Sequence, residues 1–340
     1  MSKLIRVLSI DGGGMKGILP GQVLVYLERQ IKKRTKNSEA KLADYFDFVA
    51  GTSTGGILTC TLLTPDENGK PKYSAEEVVG FYSEKGEDVF KSTFRHKISS
   101  LGGLNDEKYS AKGMEKVLHD YFGDTQLKDL LKPCLITSYD IERRKAHFFR
   151  QHEAKTDGYN NFLVKDVARS TSAAPTYFEP ALVQSFAKNE YALIDGGMFA
   201  NNPSMCAYAE VRDSIVCPRD STKKASAQDM LFVSIGTGDS EQPFLFKDAK
   251  DWGVTSWIKP IIDILMSGVS ETVDYQLKKI FDATDSNGQY IRINMNLPES
   301  VSPEMDDASP ENIKMLNLAG EEMVRQNLDK LDKVLDYLLA

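Results

Sequence analysis

Three short stretches hold residues that could do chemistry together: Asp11-Gly12-Gly13-Gly14-Met15-Lys16-Gly17, Gly51-Thr52-Ser53-Thr54-Gly55 and Asp195-Gly196-Gly197. The middle stretch sets one serine between two glycines directly after the apolar run Phe48-Val49-Ala50. If a strand turns sharply into a helix here, Gly51 and Gly55 remove Cβ atoms that would collide as the backbone folds back. The Ser53 hydroxyl is then presented at the carboxyl edge of a sheet. The following helix directs free N–H groups and its positive end to the same point, where they would hold developing negative charge. The competing reading is a turn serine that only caps that helix.

A serine hydroxyl is a poor nucleophile at neutral pH and needs a base. The histidines are His96, His119, His147 and His152. The order serine, acid, histidine would crowd acid and imidazole into the middle of the chain, where no flanking motif supports them. Asp195 is the better partner. The run Ala192-Leu193-Ile194 delivers it to a strand end, and Gly196 and Gly197 admit another backbone. A carboxylate within reach of Ser53 can take its proton directly if burial raises its pKa. The alternative for Asp195 is an Asx-turn at a strand end.

Gly12, Gly13 and Gly14 offer successive N–H groups with no side chains in the way, as an oxyanion hole requires. One such donor is typically worth on the order of 10²–10³ in rate. Lys16 adds positive charge beside the hole or secures the loop by a salt bridge. Residues 12–17 also fit the dinucleotide fingerprint GxGxxG. That fingerprint expects an acidic residue ending the next strand, where this chain has Ala50-Gly51. A P-loop fails because Lys16 precedes Gly17 and no GK[ST] follows.

These residues need a scaffold. Leu4 to Ile10 reads as a buried strand, followed from Gly17 by a helix with Leu24, Leu27 and Ile31 at helical spacing and Pro20 near its start. Tyr45 to Ala50 reads as a second strand, and Ile57, Leu58, Leu62 and Leu63 share one face of the next helix. Further strands are expected over Cys134–Ser138, Ala146–Arg150, Tyr191–Ile194 and Leu231–Ile235. The alternation predicts an α/β fold of three layers, with a mostly parallel central sheet flanked by helices. Near the end, Leu316, Met323, Leu328, Leu331, Leu335 and Leu338 predict one amphipathic helix packed on the domain. With neither internal repeat nor domain boundary, residues 1–340 read as one domain, its motifs within 4–240 and a helical part over 241–340.

Composition is that of an ordinary globular chain, with 340 residues, 41% hydrophobic and 27% charged. A net charge of −7 argues against a general nucleic-acid binder, and Lys32-Lys33-Arg34 reads as the solvated end of a helix. Cys60, Cys134, Cys206 and Cys217 form no CxxC pair and have no histidine at ligand spacing, so they read as reduced thiols and no metal site is expected. Without a signal-like apolar segment or a window of eighteen apolar residues, the chain reads as cytosolic, with any membrane contact peripheral.

Taken together, DGGGMKG at 11–17, GTSTG at 51–55 and DGG at 195–197 resemble the patatin-like lipid acyl hydrolases. So do Leu42-Ala43-Asp44-Tyr45-Phe46-Asp47 before the serine and Ser172-Ala173-Ala174-Pro175-Thr176-Tyr177-Phe178 before the aspartate. The likeness is greatest to the short, single-domain patatins of plants and bacteria. The resemblance implies a Ser53/Asp195 dyad on an elbow related to that of α/β-hydrolases, with the oxyanion hole on Gly12, Gly13 and Gly14. It also implies metal- and cofactor-free hydrolysis of fatty-acyl esters in membrane phospholipids or galactolipids. Many members carry arginine where Lys16 stands; lysine keeps the charge without the planar fork. Some similar bacterial proteins are dormant phospholipases switched on by a cyclic nucleotide in antiviral defence, but no motif here marks a nucleotide site. A non-catalytic storage or binding protein is a further alternative, opposed by the intact serine, aspartate and glycines.

A lipid substrate needs an entry surface. Gln242 to Gly268 contains Trp252 and Trp257 among Phe244, Leu245, Phe246, Ile258, Ile261 and Ile262, punctuated by Lys247, Lys250 and Lys259. It reads either as an interfacial lid or docking element or as an ordinary core helix and loop. The helical stretch Glu76 to Phe90 could wall an acyl channel.

Overall fold

In the computed structural model, residues 4–91, 111–215, 222–240, 242–286 and 288–340 are described; His96 and Cys217 lie outside them. Apolar runs form the inner strands β1 (Ile5–Ile10), β2 (Phe48–Thr52) and β3 (Cys134–Asp140), nearly all of whose residues are buried. That is the burial expected of strands covered on both faces. The sheet is completed by β4 (Lys145–Arg150), β5 (Ala181–Gln184), β6 (Glu190–Asp195), β7 (Met230–Ile235) and β8 (Tyr290–Ile293). Its order is β5-β6-β3-β2-β1-β7-β8, with β4 also on β3.

Strands β3, β2, β1, β7 and β8 pair in parallel, whereas β4 and β6 pair antiparallel with β3, and β5 antiparallel with β6. The mostly parallel sheet is therefore as expected, with an antiparallel end.

The helices are α1 (Ile18–Thr35), α2 (Thr54–Leu63), α3 (Ala75–Lys91), α4 (Lys112–Phe122), α5 (Gln151–Ala154), α6 (Val164–Thr171), α7 (Gly197–Ala200), α8 (Ser204–Ser214), α9 (Phe246–Ala249), α10 (Val254–Asp282), α11 (Pro310–Gln326) and α12 (Leu328–Leu339). One apolar core joins the sheet to α1, α2, α3, α4, α6, α11 and α12, and a second joins its other face to α8 and the end of α10. The three layers follow from burying both sheet faces.

Two expectations change. The C-terminal leucines occupy two helices, because Asn327 leaves helical geometry (φ −115°, ψ 19°) and its side-chain amide donates to the Met323 carbonyl at 2.9 Å. Leu328 is exposed as a result, whereas Leu331, Leu335 and Leu338 are buried. The C-terminal part is also not purely helical, since β8 extends the sheet beside β7.

One relationship in the sheet places the site. Leu135–Thr137 pair with both β4 and β2, and Ser138–Asp140 pair with both β4 and β6. With β4 filling one edge of β3, β2 and β6 must share the other and run toward each other. Thr52 pairs with Thr137 and Asp195 with Ser138, so the carboxyl ends of β2 and β6 meet.

Candidate active site

Ser53 stands between β2 and α2 with φ 53° and ψ −119°. A side chain at positive φ outside the usual regions costs on the order of 1–3 kcal/mol and persists only when its surroundings enforce it. They do: a Cβ on Gly51 would run into the Gly55 carbonyl, and one on Gly55 into the Ile10 carbonyl of β1. The Ser53 N–H donates to Thr171 Oγ1 at 2.8 Å, and that hydroxyl donates to the Thr137 carbonyl at 2.7 Å. The Ser53 side chain makes no capping bond to α2. It instead shares the wall of a hollow with the Asp195 carboxyl group, whose pKa it lowers.

Asp195, the last residue of β6, is 4% exposed. Its Oδ1 accepts the Gly197 N–H at 2.7 Å, and its own N–H donates to the Ala173 carbonyl at 3.0 Å. Burial pushes its pKa to about 7, while Ser53 and the Gly197 N–H pull it down. No cation pairs with it among the described residues. Such a carboxylate is a usable base near neutrality. Gly196 lets β3 come close, since a Cβ there would meet Thr137 Oγ1.

The described histidines stand elsewhere. Burial among aromatic rings lowers the His147 pKa to about 4. His152 faces Glu210 at 2.8 Å, and His119 lies beside Lys165.

The glycine turn corrects one expectation. The Gly12 N–H donates to the Asn201 carbonyl at 3.0 Å and the Met15 N–H to the Met305 carbonyl at 2.8 Å. Among the described residues only the N–H groups of Gly13 and Gly14 in this triplet lack an acceptor, so a hole expected on three glycines has two free donors. Gly12 serves close approach instead: a Cβ there would lie 3.2 Å from Ser53 Cβ and 2.5 Å from Asn201 Oδ1. Gly14 has φ 59°, and a side chain there would strike the Met305 carbonyl. Thr237 Oγ1 donates to the Gly12 carbonyl at 2.8 Å.

Asp11, which heads this turn, meets Arg292 of β8 through two hydrogen bonds of 3.0 and 2.6 Å. Both side chains are largely buried. Asp11 keeps the guanidinium protonated against the cost of burial. Ser234 Oγ accepts a further bond from Arg292 at 2.8 Å.

Lys16 is buried and makes no ion pair among the described residues, so the salt-bridge role is not found. Burial lowers its pKa, opposed at longer range by Asp263, Glu304 and Asp239.

Ser53 and Asp195 open on a hollow walled by Ile57, Phe81, Tyr82, Met114, Phe178 and Met266 among others. Its apolar lining suits a hydrocarbon chain. Phe81 and Tyr82 come from α3, the helical stretch expected to wall such a channel. No group of three or more His, Cys, Asp or Glu residues suited to a metal occurs among the described residues.

Asn201, Thr171, Thr237, Met305 and Arg292 are the supports that the sequence patterns did not single out. A charged residue heading a glycine turn signals that some cation must answer Asp11, but not which of the 42 lysines and arginines does so.

Fold and site together define a class: α/β proteins with a serine elbow that faces a buried carboxylate and an apolar hollow. The family model described as patatin-like phospholipase matches residues 8–208. "Patatin-like protein 2" of Oryza sativa subsp. indica is 35% identical over 97% of this chain and 86% of its own length, and "Patatin group J-1" of Solanum tuberosum is 34% identical over the same shares. The chain belongs to the patatin-like phospholipase family, whose general activity is lipid acyl hydrolysis. A third relative, 31% identical over 97% of this chain and 89% of its own, bears the name "Probable inactive patatin-3-Kuras 1" from Solanum tuberosum. Among solved structures, VipD from Legionella pneumophila aligns with 94% of this chain and 67% of that one, at 12% identity and a TM-score of 0.34.

Proposed function

We propose that this chain is an active serine lipid acyl hydrolase of the phospholipase A or galactolipase type, working through Ser53 and Asp195. The observation that carries the proposal is that Ser53 and a buried carboxyl group, whose pKa is about 7, line the same apolar hollow. In the first half-reaction Asp195 accepts the Ser53 proton as the hydroxyl oxygen bonds to the ester carbonyl carbon. The N–H groups of Gly13 and Gly14 receive the oxyanion. As the C–O bond to the alcohol breaks, Asp195 returns the proton to the leaving oxygen. Water then attacks the acyl-enzyme, with Asp195 again accepting a proton, and the fatty acid leaves as Ser53 is reprotonated.

The hollow takes the acyl chain while the headgroup stays outside. Contact with the membrane is peripheral in this reading, and no helix among the described residues is long and apolar enough to cross one. Lys16 contributes charge behind the turn.

The test is fluorophosphonate labelling together with hydrolysis of phosphatidylcholine and monogalactosyldiacylglycerol, with and without a panel of cyclic nucleotides. Ser53→Ala should abolish labelling and lower turnover by at least about 10³-fold. Retained turnover in a clean Ser53→Ala preparation would rule the proposal out. A strict requirement for a nucleotide would show the same chemistry to be gated.

A further inference from the structure

An ordinary core helix and loop is one way to read Gln242 to Gly268, but the structure leaves the first half of α10 outside the core. Between Val254 and Val269 none of the described side chains is buried, and burial begins only at Ser270. Val254 is 84% exposed and Phe246 in α9 82%, while Phe244, Ile258, Ile261 and Ile264 are also exposed. So contiguous an apolar surface is unfavourable in water and marks a contact that water does not make.

Two observations identify the partner. The first is continuity with the acyl hollow. Ile262 and Met266, on the same half of α10, line the hollow at Ser53. A neighbouring hollow shares Tyr177, Ile262 and Met305 with it and reaches Phe244 and Trp252. A protein seated on this face would close that route, whereas a lipid surface would supply it with chains.

The second is charge. Lys247, Lys250 and Lys259 are balanced by Asp248, Asp251 and Asp263, so the segment offers no net attraction to an anionic surface. Its aromatic residues suit the polar–apolar boundary of a bilayer: Trp252 packs edge-on against Trp257 at 5.0 Å and against Phe244 at 5.7 Å.

We infer that α9 and the first half of α10 form the face that docks on bilayers of zwitterionic or uncharged polar lipids and passes an acyl chain toward Ser53. The inference rests on the acyl-hydrolase reading of the hollow, and its test separates the two. Vesicle binding is measured on full-length Ser53→Ala protein with phosphatidylcholine vesicles, by co-sedimentation and tryptophan fluorescence. Turnover is measured on protein with Ser53 intact, using the monomeric ester p-nitrophenyl butyrate.

Adding Val254→Asp, Ile258→Asp and Ile261→Asp should weaken vesicle binding by about tenfold or more and abolish the tryptophan blue shift. It should leave butyrate turnover within about twofold. Phe246→Ser with Val254→Ser repeats the test at two highly exposed positions and disturbs no buried contact. Vesicle binding unchanged in both variants would overturn the inference. So would binding that depends on added phosphatidylserine, or a dimer that these changes split into monomers. If the protein turns over neither butyrate nor lipid while the changes still abolish vesicle binding, the hydrolase reading falls and the docking face stands.

Discussion

Arg292 and Asp11, 281 residues apart in the chain, meet fork to carboxylate with both terminal nitrogens of the guanidinium engaged. The contact ties β8 to the first residue of the glycine turn, which also receives Thr237 and Met305 from the same third of the chain. All three lie beyond residues 8–208, the span that matches the family. The free N–H groups of Gly13 and Gly14 are thus aimed partly by residues remote in sequence.

Arg292→Met should leave Asp11 buried and unpaired, at a cost of about 3–5 kcal/mol. The turn should loosen, so kcat should fall with KM little changed. Arg292→Lys keeps the charge but not the fork and should recover part of both losses. Denaturant unfolding and steady-state kinetics on a soluble ester check this; an unaltered kcat in Arg292→Met would leave the pair a purely structural role.

In the proposed mechanism Asp195 must be ionised to accept the Ser53 proton. Its pKa of about 7 therefore predicts that kcat/KM rises with pH, with a midpoint near 7, and levels off above it. A pH–rate profile on a monomeric ester checks this. A midpoint near 4 would mean that the carboxylate is not held as buried as its surroundings indicate.

The same burial gives Asp195 an effect on stability. Its unfolded-state pKa is about 3.9, so the folded chain holds the proton more tightly and loses stability as pH rises from about 4 through about 7. At pH 8 the ionised group costs on the order of 2–4 kcal/mol. Asp195→Asn removes that charge while preserving shape. It should melt at a higher temperature than the parent at pH 8, with the difference shrinking toward pH 4, and should be inactive. Thermal melts across pH supply the measurement.

Met114 reaches the apolar hollow from α4 and is buried. Met114→Trp fills space that a chain would occupy, so turnover should move toward shorter acyl esters, with long-chain kcat/KM falling by about tenfold. Relative rates on butyrate, octanoate and palmitate esters read this out. A uniform loss across chain lengths would indicate that the chain lies elsewhere.

Much of this was legible because β1, β2, β3 and β7 are apolar runs bounded by glycine or turn residues, and local pattern is what such strands obey. Ser53 and the glycine turn sit directly after two of those runs and Asp195 ends the apolar run Ala192-Leu193-Ile194 of β6, which is why their grouping could be read. Ala181–Gln184 and Tyr290–Ile293 hold only four residues each, too short for periodicity to register. The antiparallel entry of β6 depends on a long-range pairing at Ser138, not on anything within its own six residues. The loss of Gly12 as a free donor likewise depends on the carbonyl of Asn201, far along the chain. Exposure of the first half of α10 was illegible for a related reason: apolar composition does not reveal whether a partner helix lies opposite.

The head-on meeting of β2 and β6 along β3 brings Ser53 and Asp195 together only through pairings between strands far apart in sequence. Neither half of the chain carries nucleophile and base together, and the brace at Arg292 emerges only when synthesis is almost finished. On the proposed reading, a nascent, truncated or half-unfolded molecule is harmless to the membranes around it. On that reading the topology itself would act as a safety catch.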